Sequence, residues 1–60
     1  SLLGEDELKA YNGLKSQLDA ATKKLQDWIG TNPDRSDENM KLYQSMTSEI
    51  QSLEAQLAEF

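Results

Sequence analysis

The sequence predicts an all-α fold in which two helices form an antiparallel coiled-coil hairpin. Two stretches repeat large apolar residues at alternating spacings of three and four, and one segment of turn-forming residues separates them. The two apolar runs also align without a slip when the chain folds back on itself. We expect a single domain over residues 1–60, with the first helix at about 5–29, the turn at about 30–36 and the second helix at about 37–60.

The first predicted helix carries an unbroken a/d heptad pattern over three heptads. Three consecutive acidic residues, Glu5, Asp6 and Glu7, stand at its start, where negative charge interacts favourably with the positive end of the helix dipole. The apolar positions of this helix that would face the other helix are Tyr11, Leu14, Leu18, Ala21, Leu25 and Trp28.

The segment between the two apolar runs has the composition of a turn. Gly30 comes just after the first run, and we expect it to stop the helix by taking the left-handed conformation that glycine adopts at little cost. Pro33 lacks a backbone donor and disfavours helical geometry in Asn32. Ser36 is the predicted cap of the second helix, and Asn32 with Pro33 at the first helical position is the alternative cap.

The second predicted helix carries a matching run that fixes the register of the hairpin. In the antiparallel arrangement the numbers of facing residues add up to 71, from Trp28 opposite Tyr43 at the turn to Tyr11 opposite Phe60 at the open end. All six layers follow this rule, so the two seams match along their whole length. The seam positions of the second helix are Tyr43, Met46, Ile50, Leu53, Leu57 and Phe60.

Charged residues beside the seam agree with this register. Lys15 and Glu54 flank one predicted layer, and Lys24 and Glu49 flank another layer on the opposite side. Because exposed ion pairs contribute only about 0–1 kcal/mol each, such pairs specify register more than stability. The same pattern has two alternatives, namely two helices lying separately in a larger bundle, or helices in coiled coils between different chains.

A single two-helix seam gives a small core, and the chain has few other means of stabilisation. It contains no cysteine for disulfides and no histidine, so a partner chain or a second copy is the remaining way to complete the fold. Apolar residues off the seam form two predicted partner-binding patches. The alternative is that they close over the ends of the hairpin's own core. These residues are Leu2, Leu3 and Leu8 at the open end, with Ile29, Met40 and Leu42 at the turn.

The charge balance argues against nucleic acid and anionic membranes as partners. The chain has 11 acidic and 6 basic residues and a net charge of −5, whereas both of those partners require a basic surface. No apolar run approaches the ~18 residues that a membrane span requires. We therefore expect the partner to be another protein or a second copy, with neither nucleic acid nor a membrane span involved.

The sequence also predicts that the chain is not an enzyme. Without histidine or cysteine, only Ser–Lys or carboxylate pairs remain for catalysis, and a two-helix hairpin offers no cleft for them. The carboxylates at Asp34, Asp37 and Glu38 suit a helix start better than acid–base chemistry, and they lack the spacing of a calcium loop. We expect no cofactor, no metal and no small-molecule substrate.

The second helix carries a resemblance to a known class of hairpin. Segment 41–54, KLYQSMTSEIQSLE, resembles the Tyr-Gln-bearing helix of small type III secretion proteins, which include needle subunits and their co-chaperones. Asn32-Pro33 before that helix is similar to the Asn-Pro turn of needle subunits. The resemblance implies a bacterial cytoplasmic co-chaperone or a self-assembling subunit, which a leaderless secretion system would export.

A second resemblance involves the turn. Trp28-Ile29-Gly30 is similar to the Trp-Xaa-Gly turn of small helical hairpins that type VII systems secrete. Taken with the composition, the leading expectation is an interaction module that binds a partner helix. The alternative is a structural coiled-coil subunit or scaffold segment that assembles with itself, and the two classes differ in stoichiometry.

Overall fold

The fold is a helical hairpin, as the heptad pattern predicts. The computed structural model describes residues 4–60, so the predicted patch residues Leu2 and Leu3 lie outside the described part. Helix α1 spans Glu5–Ile29 and helix α2 spans Asp37–Ala58, and residues 4–60 contain no strand. The two helices lie side by side in a rod of 46 × 16 × 14 Å.

The end of α1 corrects one sequence prediction. Gly30 ends the helix, but its backbone stays right-handed, with φ −61° and ψ −18°. The left-handed residue is Asn32, with φ 56°. The last helical turn continues through short-range bonds, in which the Thr31 amide and hydroxyl both donate to the Trp28 carbonyl at 3.0 and 2.6 Å. The reversal therefore falls two residues later, on an asparagine, which tolerates positive φ better than most residues do.

The start of α2 confirms Ser36 as the cap. The Ser36 hydroxyl accepts a hydrogen bond from the Asn39 amide at 3.2 Å. The Asp34 carboxylate accepts from the Ser36 amide at 3.2 Å and from the Asn39 side-chain amide at 2.9 Å. The alternative start at Pro33 is wrong, because the helix begins at Asp37. The three polar side chains fix the path of the chain into α2.

The core consists of the predicted seam. Ala21, Met46 and Leu53 are buried, and seven further seam residues are half-buried. Among the seam residues only Tyr43 and Phe60, the first and last of the second run, are more exposed. No described side chain is completely shielded from solvent, which is the expected result for two helices with a single line of contact.

Aromatic pairs at both ends confirm the register. The Trp28 and Tyr43 rings lie 6.4 Å apart at the turn, and the Tyr11 and Phe60 rings lie 5.8 Å apart at the open end in an edge-to-face arrangement. Both separations lie in the favourable range for aromatic pairs. Helix α2 itself ends at Ala58, two residues before the predicted end near 60. Phe60 therefore reaches Tyr11 from a short final turn, in which its backbone amide donates a hydrogen bond to the Leu57 carbonyl at 3.2 Å.

Apolar packing holds the two helices together. Every side-chain hydrogen bond within residues 4–60 joins residues no more than five apart in sequence, so none links α1 to α2. The predicted pairs of Lys15 with Glu54 and of Lys24 with Glu49 form no hydrogen bond. Their side chains are exposed, where water and conformational entropy compete with a weak attraction.

Candidate interaction surface

The described surface has a cleft at the turn end of the hairpin. It has a volume of about 540 Å³ and lies where the turn passes between the end of α1 and the start of α2. The expectation that a two-helix hairpin offers no cleft is therefore wrong at this end, because the turn residues add a further wall beside the two helices. We call it the turn-end cleft. Its lining residues are Trp28, Ile29, Asn32, Pro33, Asp34, Arg35, Asn39, Met40 and Tyr43.

Large apolar side chains dominate the exposed part of this cleft. Met40 is 58% exposed, and Ile29 and Tyr43 are 48% exposed each. Trp28 is half-buried and stacks in a tilted arrangement on Tyr43. The Trp28 indole thus lies between the exposed apolar residues and the core of the hairpin.

Polar groups form the other side of the cleft, and the turn itself already uses most of them. The Asp34 carboxylate and carbonyl and the Asn39 side-chain amide bond to one another and to the start of α2. Among the lining residues Arg35 is the single positive charge, and it is exposed. The cleft therefore combines an apolar surface with one cation and a rigid hydrogen-bonded wall.

The structure brings together only part of the predicted partner-binding set. Ile29 and Met40 line the turn-end cleft, whereas Leu42, at 40% exposed, does not. Leu8 is exposed and lies on α1 towards the open end, far along the rod from the other three. Pro33, Arg35 and Asn39 also line the cleft, and the sequence pattern indicates no binding role for them. Asn39 stands three residues after the cap Ser36, which is the usual position of the amide that a cap accepts from, but no periodic pattern indicates where a turn residue will lie.

The heptad positions explain why Leu42 separates from Met40. With Tyr43 at position a, Met40 occupies an e position and Leu42 a g position. In an antiparallel hairpin the e positions of both helices flank one side of the seam and the g positions flank the other. Ile29 is an e residue of α1, so it meets Met40, and Leu42 belongs to the opposite edge.

The fold and this cleft define a class of protein, the two-helix hairpin with an exposed apolar surface at its turn. Within residues 4–60 no group of three or more acidic, histidine or cysteine side chains is arranged to hold a metal ion. Neither α1 nor α2 is long and apolar enough to cross a membrane. A comparison with protein-family models, curated proteins and solved structures finds no match.

Proposed function

We propose that this chain is a non-enzymatic protein-interaction module whose turn-end cleft receives apolar side chains from a helix of another protein chain. The observation that carries the proposal is the concentration of exposed apolar residues at one end. Within residues 4–60 six large apolar residues are strongly exposed, and four of them lie at the turn end. Three of these four, Ile29, Met40 and Tyr43, line the cleft, and Leu42 lies on the opposite edge. An exposed apolar surface of this kind typically marks an interaction site.

A helix suits the cleft because the cleft lies between two helix ends. An amphipathic helix presents apolar residues at spacings of three and four, which fit a groove between two helices. Methionine adapts to different side chains, while the aromatic pair behind it stays fixed.

A matched pair of charge substitutions tests this function. Met40→Glu places a carboxylate in the cleft, and Ser48→Glu adds the same charge to the outward face of the same helix. Both chains, used as bait against extract from the source cell, should keep the helical circular dichroism of the parent. We expect Met40→Glu to lose the proteins that the parent retains, and Ser48→Glu to keep them. Equal retention by both variants would contradict a binding role for the cleft.

Leu42→Glu then defines the width of the surface. If the partner contacts only the cleft side, this variant should behave like Ser48→Glu. If the partner also covers the opposite edge, Leu42→Glu should lose binding as Met40→Glu does. The measurement therefore decides whether Leu42 belongs to the binding residues, as the sequence predicts, or only to the local surface.

A narrower hypothesis concerns type III secretion. The resemblance of segment 41–54 and of Asn32-Pro33 to needle-system hairpins supports a co-chaperone or a needle-like subunit. As a co-chaperone, the chain should keep a needle subunit of the source organism soluble on co-expression, and Met40→Glu should not. Precipitation of the needle subunit with either chain would remove the co-chaperone hypothesis and leave the broader interaction module standing.

A further inference from the structure

The two long edges of the hairpin differ in character. The e edge contains three large apolar residues and two threonines, with one charged residue on each helix. Its members are Leu8, Lys15, Thr22, Ile29, Met40, Thr47 and Glu54. Within residues 4–60 the g edge has one large apolar residue and is otherwise small or polar. Its members are Ala10, Gln17, Lys24, Leu42, Glu49 and Gln56.

The threonines make the middle of the e edge compatible with burial. Thr22 and Thr47 are both half-buried already. The Thr47 hydroxyl donates within its own helix, with the Tyr43 and Gln44 carbonyls as acceptors at 3.0 Å each. Since this hydroxyl already has acceptors, covering Thr47 with another chain would leave no donor unpaired. On α2 the e edge is therefore apolar or hydrogen-bonded from Thr47 to Met40.

The exposed area of the molecule is large enough to include an interface. A compact protein of 6.8 kDa has an accessible surface of about 4,000 Å². This chain exposes 4946 Å², because its two helices form a rod of 46 × 16 × 14 Å. A stable protein–protein interface covers about 800 Å² on each partner. One long edge of the rod can therefore supply an interface while most of the surface stays exposed.

The e edge is complementary to itself when two copies run in the same direction. A two-fold axis along the rod sets α1 of one copy beside α2 of the other. Ile29 then meets the Met40 of the second copy, Thr22 meets its Thr47, and Lys15 meets its Glu54. Apolar residues thus face apolar residues, threonine faces threonine, and the lysine of each copy faces a glutamate of the other. Reversing one copy would set Lys15 and Glu54 against the threonine layer, without an opposite charge across the interface.

We propose that the e edge is an interface between two copies of this chain, which join turn end to turn end as a parallel four-helix dimer. The inference rests on the proposed function, because Ile29 and Met40 belong to both the turn-end cleft and the e edge. It names the partner of that surface as a second copy. The dimer buries the exposed side chains of Met40 and Ile29. It also supplies the additional stabilisation that a chain of 60 residues without cysteine needs.

Sedimentation equilibrium over a range of concentrations tests the dimer. The parent should reach twice the 6.8 kDa mass of one chain. Met40→Glu places two carboxylates in the interface and should weaken the dimer about 100-fold, while Leu42→Glu on the g edge should leave the dissociation constant unchanged. A parent that stays monomeric up to millimolar concentration would overturn the proposal, and so would a dimer that tolerates Met40→Glu.

A single spin label tests the direction of the two copies. Because the chain has no cysteine, Glu38→Cys provides one labelling site, exposed in the first turn of α2. In the parallel dimer the two labels should lie within about 30 Å, since each helix is about 10–12 Å wide. In a reversed dimer their separation should approach the 46 Å length of the rod. The longer distance would overturn the parallel arrangement.

Failure of this inference can be distinguished from failure of the proposed function. A monomeric chain that binds another protein through Met40 rejects self-association and keeps the interaction module. A dimer that forms through Met40 and retains no other protein supports the inference and identifies the second copy as the partner. Met40→Glu without effect on either measurement rejects both.

Discussion

The two ends of the hairpin are built alike but differ in how well the backbone is held in place. Each end closes with an aromatic pair in the register that the seam predicts, Trp28 with Tyr43 at the turn and Tyr11 with Phe60 at the open end. At the turn the chain is continuous and a hydrogen-bonded cap fixes the start of α2. At the open end Phe60 follows the last residue of α2 and is 45% exposed.

The difference shows that the exposed apolar surface is concentrated at the end with the more constrained backbone. Ordering a flexible surface on binding costs free energy, and a surface that is already ordered avoids much of that cost. The open end has one pair of rings and no side-chain bond between the described parts of the helices, so local opening should begin there. The turn end is thus suited to binding a partner, whereas the open end should unfold locally first.

The largest expected effect comes from breaking the seam that both ends share. Leu53 is only 6% exposed, and Leu53→Asp would bury a charge without a partner. A domain of this size rarely has more than about 3–5 kcal/mol of stability, and a buried unpaired charge costs a similar amount. We expect the helical circular dichroism signal at 222 nm to be lost at room temperature.

Ser52→Asp is the control for this substitution. It adds the same carboxylate one position earlier on an exposed site of α2, and it should keep the helical signal. If Leu53→Asp stayed helical, the two apolar stripes would not be packed against each other within one chain.

A smaller effect separates the two ends directly. Trp28 is half-buried beneath the turn-end cleft, and Trp28→Ala removes both its packing and its ring contact with Tyr43, at a cost of about 2–3 kcal/mol. Phe60→Ala removes an exposed ring at the open end and should cost about 1 kcal/mol or less. Urea unfolding followed by circular dichroism measures both values.

The inferred difference between the two ends is wrong if Trp28→Ala and Phe60→Ala lower the free energy of unfolding by the same amount. Equal losses would mean that the open end contributes as much packing as the turn end despite its exposed ring. A larger loss for Phe60→Ala would reverse the order of opening that we infer. Both variants should give the same slope of free energy against urea as the parent, because neither changes the surface that global unfolding exposes by more than one side chain.

The sequence predicted the features that follow from periodicity. Spacings of three and four specify which faces of two helices are apolar, and matching lengths fix the register, so the seam and both ring pairs are correct. The cap at Ser36 is correct because its reason is local: a hydroxyl three residues before an unpaired amide accepts from it. The Lys15 and Glu54 pairing did not form, since exposed charges have little to gain from contact.

The turn was the harder part to predict because its geometry depends on several residues together. Glycine is the usual left-handed residue at a helix end, yet Asn32 takes that conformation while Gly30 continues the right-handed turn. Pro33 disfavours right-handed helical geometry in the residue before it, so the reversal can fall on Asn32. This path places Pro33 and Arg35 in the cleft, and no heptad rule predicts the positions of residues outside the helices.

The smallest expected effect is a gain in stability in the half of the hairpin nearer the open end. Gly13 lies within α1, two residues beyond Tyr11, and a Cβ atom added there would meet nothing within 4 Å. Gly13→Ala should therefore stabilise the fold by about 0.5–1 kcal/mol, because alanine loses less backbone entropy than glycine in a helix. Amide exchange should slow most near the open end.

Gly30→Ala is the comparison for Gly13→Ala. It should give a smaller gain, since its Cβ would lie 3.3 Å from the Asp27 carbonyl. If Gly13→Ala instead destabilised the chain, that outward site would have to pack against a neighbouring chain, and the e edge would not be the only covered surface.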